Sequence, residues 1–222
     1  MTVRLNIGCG DAPTPGWINY DNSPAVRLAH WPLLTRLLQT VGIIDAGNVE
    51  FIARCRQLGI GYADGSARIP HATGSVDVVY SSHMIEHLDR HEAWLFLLEC
   101  MRVLKPGGTL RLAVPNLKWS ILEYMEKGNA DHFIAQLQFD IDKPRGLVAR
   151  VHRFLTGGRG HHWMYDGPSL SRLVGEAGFV QIEILAAGET RLHDPGALDL
   201  REREIESLYL EAESPKATLT QS

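Results

Sequence analysis

Residues 76–114 read VDVVYSSHMIEHLDRHEAWLFLLECMRVLKPGGTLRLAV, and this stretch decides the fold class. Val76 to Tyr80 is a continuous, valine-rich run, the pattern of a parallel strand buried on both faces. Asp89 suits the N-cap of a helix, with Glu92 placed to reach back to it. Ala93, Trp94, Leu97, Leu98, Met101 and Leu104 then recur with helical period. Lys105-Pro106-Gly107-Gly108 cannot continue a helix. Leu110, Leu112 and Val114 alternate along a second strand. A strand, a crossover helix and a strand of this length form a right-handed βαβ unit.

The same alternation extends outward in both directions. Upstream, Val3 to Ile7 reads as a strand stopped by Gly8 and Gly10, and Gly16 to Tyr20 as another. Pro32 opens a helix whose Leu33, Leu34, Leu37, Leu38 and Val41 share one face, with Gly42 as its stop. Asn48 is the expected cap of a further helix ending near Gly59, and Ile60 to Ala63 a short strand. Downstream, residues 117–137 are helical with a break at Gly128, and 138–162 are irregular and basic. Ser169 to Ala177 is a helix, Phe179 to Ala186 and Ile205 to Ala212 are strands, and 213–222 is a polar, mobile tail. The expectation is one α/β domain over residues 1–212, a doubly wound, mostly parallel sheet with a basic insertion at about 138–162. Ligands of such sheets bind beyond the carboxyl ends of the strands. That directs attention to the loops at 8–12, 21–24, 64–66, 81–87 and 115–118.

Bulk properties narrow the function. The 222 residues carry a net charge of −4, against general nucleic-acid binding. Cys9, Cys55 and Cys100 are odd in number and lack metal-site spacing, which fits free thiols in a reducing compartment. The N-terminal residues lack a signal-peptide pattern and no apolar run reaches membrane-spanning length, so a cytoplasmic protein is expected.

The turn Asn6-Ile7-Gly8-Cys9-Gly10-Asp11-Ala12 lets backbone approach a ligand closely. A dinucleotide site would follow its glycines with a helix and place an acid roughly 20 residues on. Here Pro13, Pro15 and Gly16 interrupt any such helix, and Asp21 follows Gly10 by only 11 residues. That spacing disfavours a pyrophosphate ligand and suits a ribose, whose hydroxyls can both bond a carboxylate.

LNIGCGDA resembles the first motif of the class I S-adenosylmethionine (SAM)-dependent methyltransferases. GWINYDNSP, YADGSARIPHATGSVDVVYSSHMIEHL, LLECMRVLKPGGTLRLAVPN, HHWMYDGPSLSRLVGEAGF and ESLYLEA resemble successive segments of a small group within them. The resemblance spans most of residues 3–212 and is most specific over 62–116. It implies a seven-stranded, Rossmann-like sheet with the last strand antiparallel, SAM as cofactor, and methyl transfer. By position, Gly8, Cys9 and Gly10 would run along the methionine part, Asp21 with Asn22 beside it would hold the ribose, and Asp64 with Gly65 the adenine. Ser82 and His83 would lie beside the cofactor. Two departures stand out: Asn6 replaces a common acid and Ala12 a common glycine. The cofactor's amino group is therefore expected to rest on backbone carbonyls.

Methyl transfer from a sulfonium needs alignment of the acceptor, and a hydroxyl acceptor also benefits from a base. His83 is one candidate. His162, oriented by Asp166, is another, beside His161 and Tyr165. Glu86 and His87 are either catalytic or anchors of their loop. His83, His87 and His91 are spaced by four, but Asp89 starts a new helix between them, and no metal is expected. Residues 143–163 hold five Lys/Arg and three His with no acid, which either steers an anionic acceptor into the cleft or forms a solvated loop. Gly157, Gly158 and Gly160 suit a hinged lid. The leucine face of 33–41 caps the adenine pocket, pairs with another subunit or completes the core, the last being the commonest use of such a face. The leading reading is an enzyme methylating a small molecule, at a hydroxyl of a sugar or natural-product intermediate, as a monomer or homodimer. The alternative is a SAM-binding regulatory or partner subunit without transfer activity.

Overall fold

A computed structural model describes residues 2–139, 145–155 and 160–216. Seven strands form one sheet: β1 (Arg4–Ile7), β2 (Ile18–Asp21), β3 (Gly61–Tyr62), β4 (Val76–Ser82), β5 (Leu104–Pro115), β6 (Val180–Leu185) and β7 (Ser207–Glu213). Their order is β3-β2-β1-β4-β5-β7-β6. The first five run parallel; β7 lies antiparallel between β5 and β6. This is the α/β sheet expected, with its last strand reversed.

Eight helices connect the strands among the described residues: α1 (Pro24–Ala29), α2 (Pro32–Thr40), α3 (Ala46–Gln57), α4 (Arg90–Val103), α5 (Leu117–Lys127), α6 (Ala130–Leu137), α7 (Leu147–Leu155) and α8 (Gly167–Glu176). Local chemistry explains most of their ends. The Asp89 carboxylate accepts from the N–H groups of His91 and Glu92, and the Glu92 side chain accepts from the Asp89 N–H, closing a capping box. Gly128 ends α5 in the left-handed region at φ 65°.

Three sequence expectations need correction. The cap of α3 is Asp45, whose carboxylate accepts from the Asn48 N–H; Asn48 itself is buried inside the helix. Residues 147–155, expected to be irregular, form α7, and Leu155 packs with Ala25, Val26, Ile52 and Cys55 of α1 and α3. The leucine face of α2 does not complete the core: Leu33 is 79 % and Leu37 57 % exposed. The outer parts of the basic stretch and tail, residues 140–144, 156–159 and 217–222, fall outside the described residues, as do the hinge glycines Gly157 and Gly158.

The main core joins one face of β1, β4, β5 and β7 to α4 and α8. Leu5, Val79, Leu110, Leu112 and Leu210 meet Phe96, Leu97, Cys100, Leu170 and Val174 there. Across the sheet, Val78, Tyr80, Ala113 and Tyr209 are covered by Trp17 and by Leu192, Leu198 and Leu200 from the β6–β7 connection. One fully buried ion pair lies in this architecture. Arg111 of β5 faces Glu211 of β7 in register, and its guanidinium donates to Glu211 Oε1 at 2.6 Å. Thr190 Oγ1 and the Arg191 N–H donate to the same carboxylate. That connection therefore has a fixed anchor on the sheet.

Candidate active site

The parallel strands end along one edge, and the glycine turn is tied to it. The N–H groups of Gly8 and Cys9 both donate to the Tyr20 carbonyl, at 2.8 and 3.1 Å. Gly8 adopts φ 75°, and a Cβ placed on it would lie 2.3 Å from Cγ of Met84. Glycine is required here both for conformation and for space. Asp21, at the end of β2, is buried and braces the turn: Oδ2 accepts from the Gly10 N–H at 3.0 Å and Oδ1 from the Ser23 N–H at 2.8 Å. After β3, Asp64 Oδ1 accepts from the N–H and hydroxyl of Ser66. Gly65 sits against Ile7 and Phe96, which a Cβ there would approach to 3.0 Å.

These residues enclose a cavity of about 180 Å³ lined by Gly8, Gly10, Asp21, Asn22, Asp64 and Gly65, together with Ser66, His83, Met84 and His87. A second cavity, about 320 Å³, opens on the other side of Gly8. Asn6, Cys9, Pro13, Tyr80 and Ser82 line it, with Asp199 and Glu202 from the β6–β7 connection. Every cofactor residue expected from sequence lies on one of these two cavities, and Gly8 lies on both. Burial holds the Cys9 thiol up at about 12, helped by the negative charge of Asp21, so it is an inert wall group. A larger apolar groove between α2 and α3 lies apart from the glycines and acids.

The two expected bases are placed differently. His83 is half-buried at the cavity wall, its side chain 8 % exposed and its backbone in the strained region φ 46°. Its Nε2 pairs with Ser207 Oγ at 2.9 Å, and its Nδ1 lies 3.4 Å from Arg203 Nη1 and 3.5 Å from Glu86 Oε1. His162 is exposed and lines neither cavity. Nor does Asp166 orient it, because that carboxylate caps α8 by accepting from the Ser169 N–H. The buried histidine of this segment is His161, whose ring meets that of His87 edge-on at 4.9 Å. Burial lowers the His161 pKa, which favours neutral imidazole. No Lys or Arg among the described residues lines either cavity, and none of α7 does.

Sequence reasoning missed Asp199, Glu202 and the inward role of His161. Asp199 and Glu202 carry no local motif, and their approach to Tyr80 depends on how the β6–β7 connection crosses the sheet. The Tyr80 hydroxyl donates to Glu202 at 2.7 Å across 122 residues.

Residues 33–112 match the family profile described as a methyltransferase domain. No curated protein matches the chain in sequence. Among solved structures, a SAM-dependent methyltransferase from Thermotoga maritima, described as a possible histamine N-methyltransferase, is similar at TM-score 0.50 and 15 % identity, over 96 % of this chain and 83 % of that one. A SAM-dependent methyltransferase from Methanosarcina mazei is similar at TM-score 0.50 and 15 % identity, over 96 % and 92 %. At such identities these are likenesses of fold. The matched segment covers residues 33–112 and the seven-stranded sheet has the same fold, so this chain is similar to the SAM-dependent methyltransferases, whose methyl donor is SAM. The residues present suit that cofactor: a glycine cradle that a Cβ would fill, acids at the ends of β2 and β3, and a buried Asn6 Oδ1 without a hydrogen-bond partner.

Proposed function

We propose that the chain transfers the methyl group of SAM to a hydroxyl of a small molecule such as a sugar or natural-product intermediate. One observation carries the cofactor half: Asp21 and Asp64 share a single cavity with the Gly8–Gly10 turn. In this reading Asp21 accepts from the ribose hydroxyls with Asn22 beside it, while Asp64 accepts from the adenine amino group with the Gly65 backbone nearby. The methionine part occupies the second cavity along Gly8 and Cys9, with Ser82 on its wall and Gly10 on the side of the first cavity. There Asp199 and Glu202 supply the negative charge that Asn6 lacks, and Asn6 Oδ1 is a further acceptor for the ammonium group. This replaces reliance on backbone carbonyls alone.

SAM supplies an activated methyl on a sulfonium; the protein's work is alignment and handling the acceptor proton. His83 is the candidate base on the cavity wall. The acidic second cavity and the absence of a described cation from both walls give no support to an anionic acceptor.

Calorimetric titration with S-adenosylhomocysteine, the demethylated product, tests the cofactor half. One saturable site is expected; folded protein that binds none would overturn the assignment. Release of S-adenosylhomocysteine from SAM across a panel of hydroxylated metabolites tests the acceptor half. Product formed only with amine acceptors would refute O-transfer, and binding without turnover on any acceptor would favour a non-catalytic SAM-binding subunit.

A further inference from the structure

Glu86, His87 and His161 converge behind His83, and their ligand-capable atoms all lie within 4.8 Å of one another. Glu86 is 0 % and His161 8 % exposed. Both oxygens of the Glu86 carboxylate and Nδ1 of His161 are buried without a hydrogen-bond partner. A carboxylate so placed is costly unless a cation or donor faces it. The ion-pair neighbour of Glu86 among the described residues is His83 Nδ1, at 3.5 Å.

The surroundings fix the three groups. The Glu86 carbonyl accepts from the N–H of His162 at 2.7 Å and of Trp163 at 3.1 Å, pinning residues 161–163 to the turn that follows β4. Arg90 stacks on the Trp163 ring at 4.8 Å and closes the outside. His87 Nδ1 bonds the Gly160 carbonyl at 3.3 Å. A carbonyl only accepts, so Nδ1 carries the proton and Nε2 keeps its lone pair. Such an outer hydrogen bond is how proteins orient metal-binding histidines.

We propose that Glu86, His87 and His161 form a binding site for a divalent transition-metal ion at the inner wall of the first cavity. Two imidazoles and one carboxylate suit zinc, cobalt, manganese or ferrous iron and leave further coordination positions open. Bonds of about 2.0–2.1 Å in a tetrahedral site set ligand atoms about 3.4 Å apart, so the groups need only close on an ion between them. His87 also lines the cofactor cavity, so an open position there is within reach of an acceptor. This inference rests on the cluster and not on the SAM assignment.

The test is a cobalt titration of the full chain after chelator treatment, read by visible absorption and calorimetry. Expected are one saturable Co²⁺ per chain, d–d bands that zinc abolishes, and their loss in Glu86→Gln and His161→Gln. Removing a direct ligand should cost at least the roughly 10–100-fold in affinity that outer-shell partners cost. His193→Ala, an exposed histidine, should change nothing. The proposal is overturned if folded wild-type protein shows no saturable site, or if both ligand variants bind cobalt as the wild type does. S-adenosylhomocysteine affinity, measured separately on the same proteins, reports folding of the variants and decides the cofactor assignment on its own.

Discussion

Gly8 and Met84 pack together on the wall of the first cavity, so closely that a Cβ on Gly8 would sit 2.3 Å from Met84 Cγ. Gly10, two residues on, also has positive φ but nothing within 4 Å of its would-be Cβ. The pair separates conformational strain from steric clash. Gly10→Ala should cost about 1–2 kcal/mol, the penalty of the left-handed region. Gly8→Ala should cost that plus roughly 1–3 kcal/mol of overpacking, and should weaken S-adenosylhomocysteine more. Chemical denaturation and calorimetry check both; equal losses would mean that Met84 yields freely.

Asp21 does two jobs, bracing the turn through Gly10 and Ser23 and facing the cavity. Asp21→Asn keeps an acceptor oxygen but removes the charge. Losing charge-assisted bonds of about 1.5–3 kcal/mol predicts a roughly 10–100-fold weaker cofactor. Asp64→Asn should weaken it less, because one acceptor oxygen serves the adenine amino group, whereas Asp21 uses both oxygens for the ribose hydroxyls and the Gly10 and Ser23 N–H groups. Unchanged affinity in Asp21→Asn would remove the ribose role.

The buried Arg111–Glu211 pair predicts a sharp asymmetry. Arg111→Met or Glu211→Leu alone leaves an uncompensated buried charge and should cost about 3–5 kcal/mol of stability. The double variant should recover much of that, because apolar side chains satisfy each other. Glu211 also holds Thr190 and Arg191, so the β6–β7 connection should loosen in both Glu211 variants and weaken cofactor binding through Asp199 and Glu202. Thermal melts across the double-mutant cycle measure the coupling.

Stability should fall on the acid side in two stages. Burial lowers the His161 pKa below its ordinary 6.5. The unfolded chain then binds the proton first, so this contribution is complete above about 6.5 and declines as pH falls through the folded value. Hydrogen bonds from Arg102 depress Glu99 below 4.5; its contribution is complete above that value and is lost on further acidification. His161→Gln should flatten the first stage and Glu99→Gln the second, in denaturation curves collected against pH.

His83→Gln should abolish or strongly reduce turnover while cofactor binding persists, whereas exposed His162→Ala should leave turnover near wild type. General-base catalysis contributes typically 10²–10⁴-fold, which sets the expected loss for His83. Equal activity of both variants would exclude His83 as the base.

Helices α1 and α7 were not legible in the sequence, but the chain order of the seven strands, the strand-end positions of Gly8, Gly10, Asp21 and Asp64, and the capping of α4 by Asp89 and Glu92 were. These features rest on short-range chemistry: side-chain periodicity, the reach of a cap over three residues, and the conformations open to glycine. Tertiary structure alone decided where faces and distant groups would meet. The periodicity of Leu33, Leu37 and Val41 identifies an amphipathic helix but not whether a partner lies against it, and here they are exposed. His161 and His162 are adjacent and chemically equal in sequence. Yet the hydrogen bonds from residues 162 and 163 to the Glu86 carbonyl leave one ring buried against His87 and the other in solvent. Asp199 and Glu202 line a cavity with Gly8 only because β7 runs antiparallel beside β5 and its preceding connection crosses back over the sheet. Such contacts join residues 74 to 122 positions apart in the chain, and their selection depends on how the whole core packs, which no local pattern encodes.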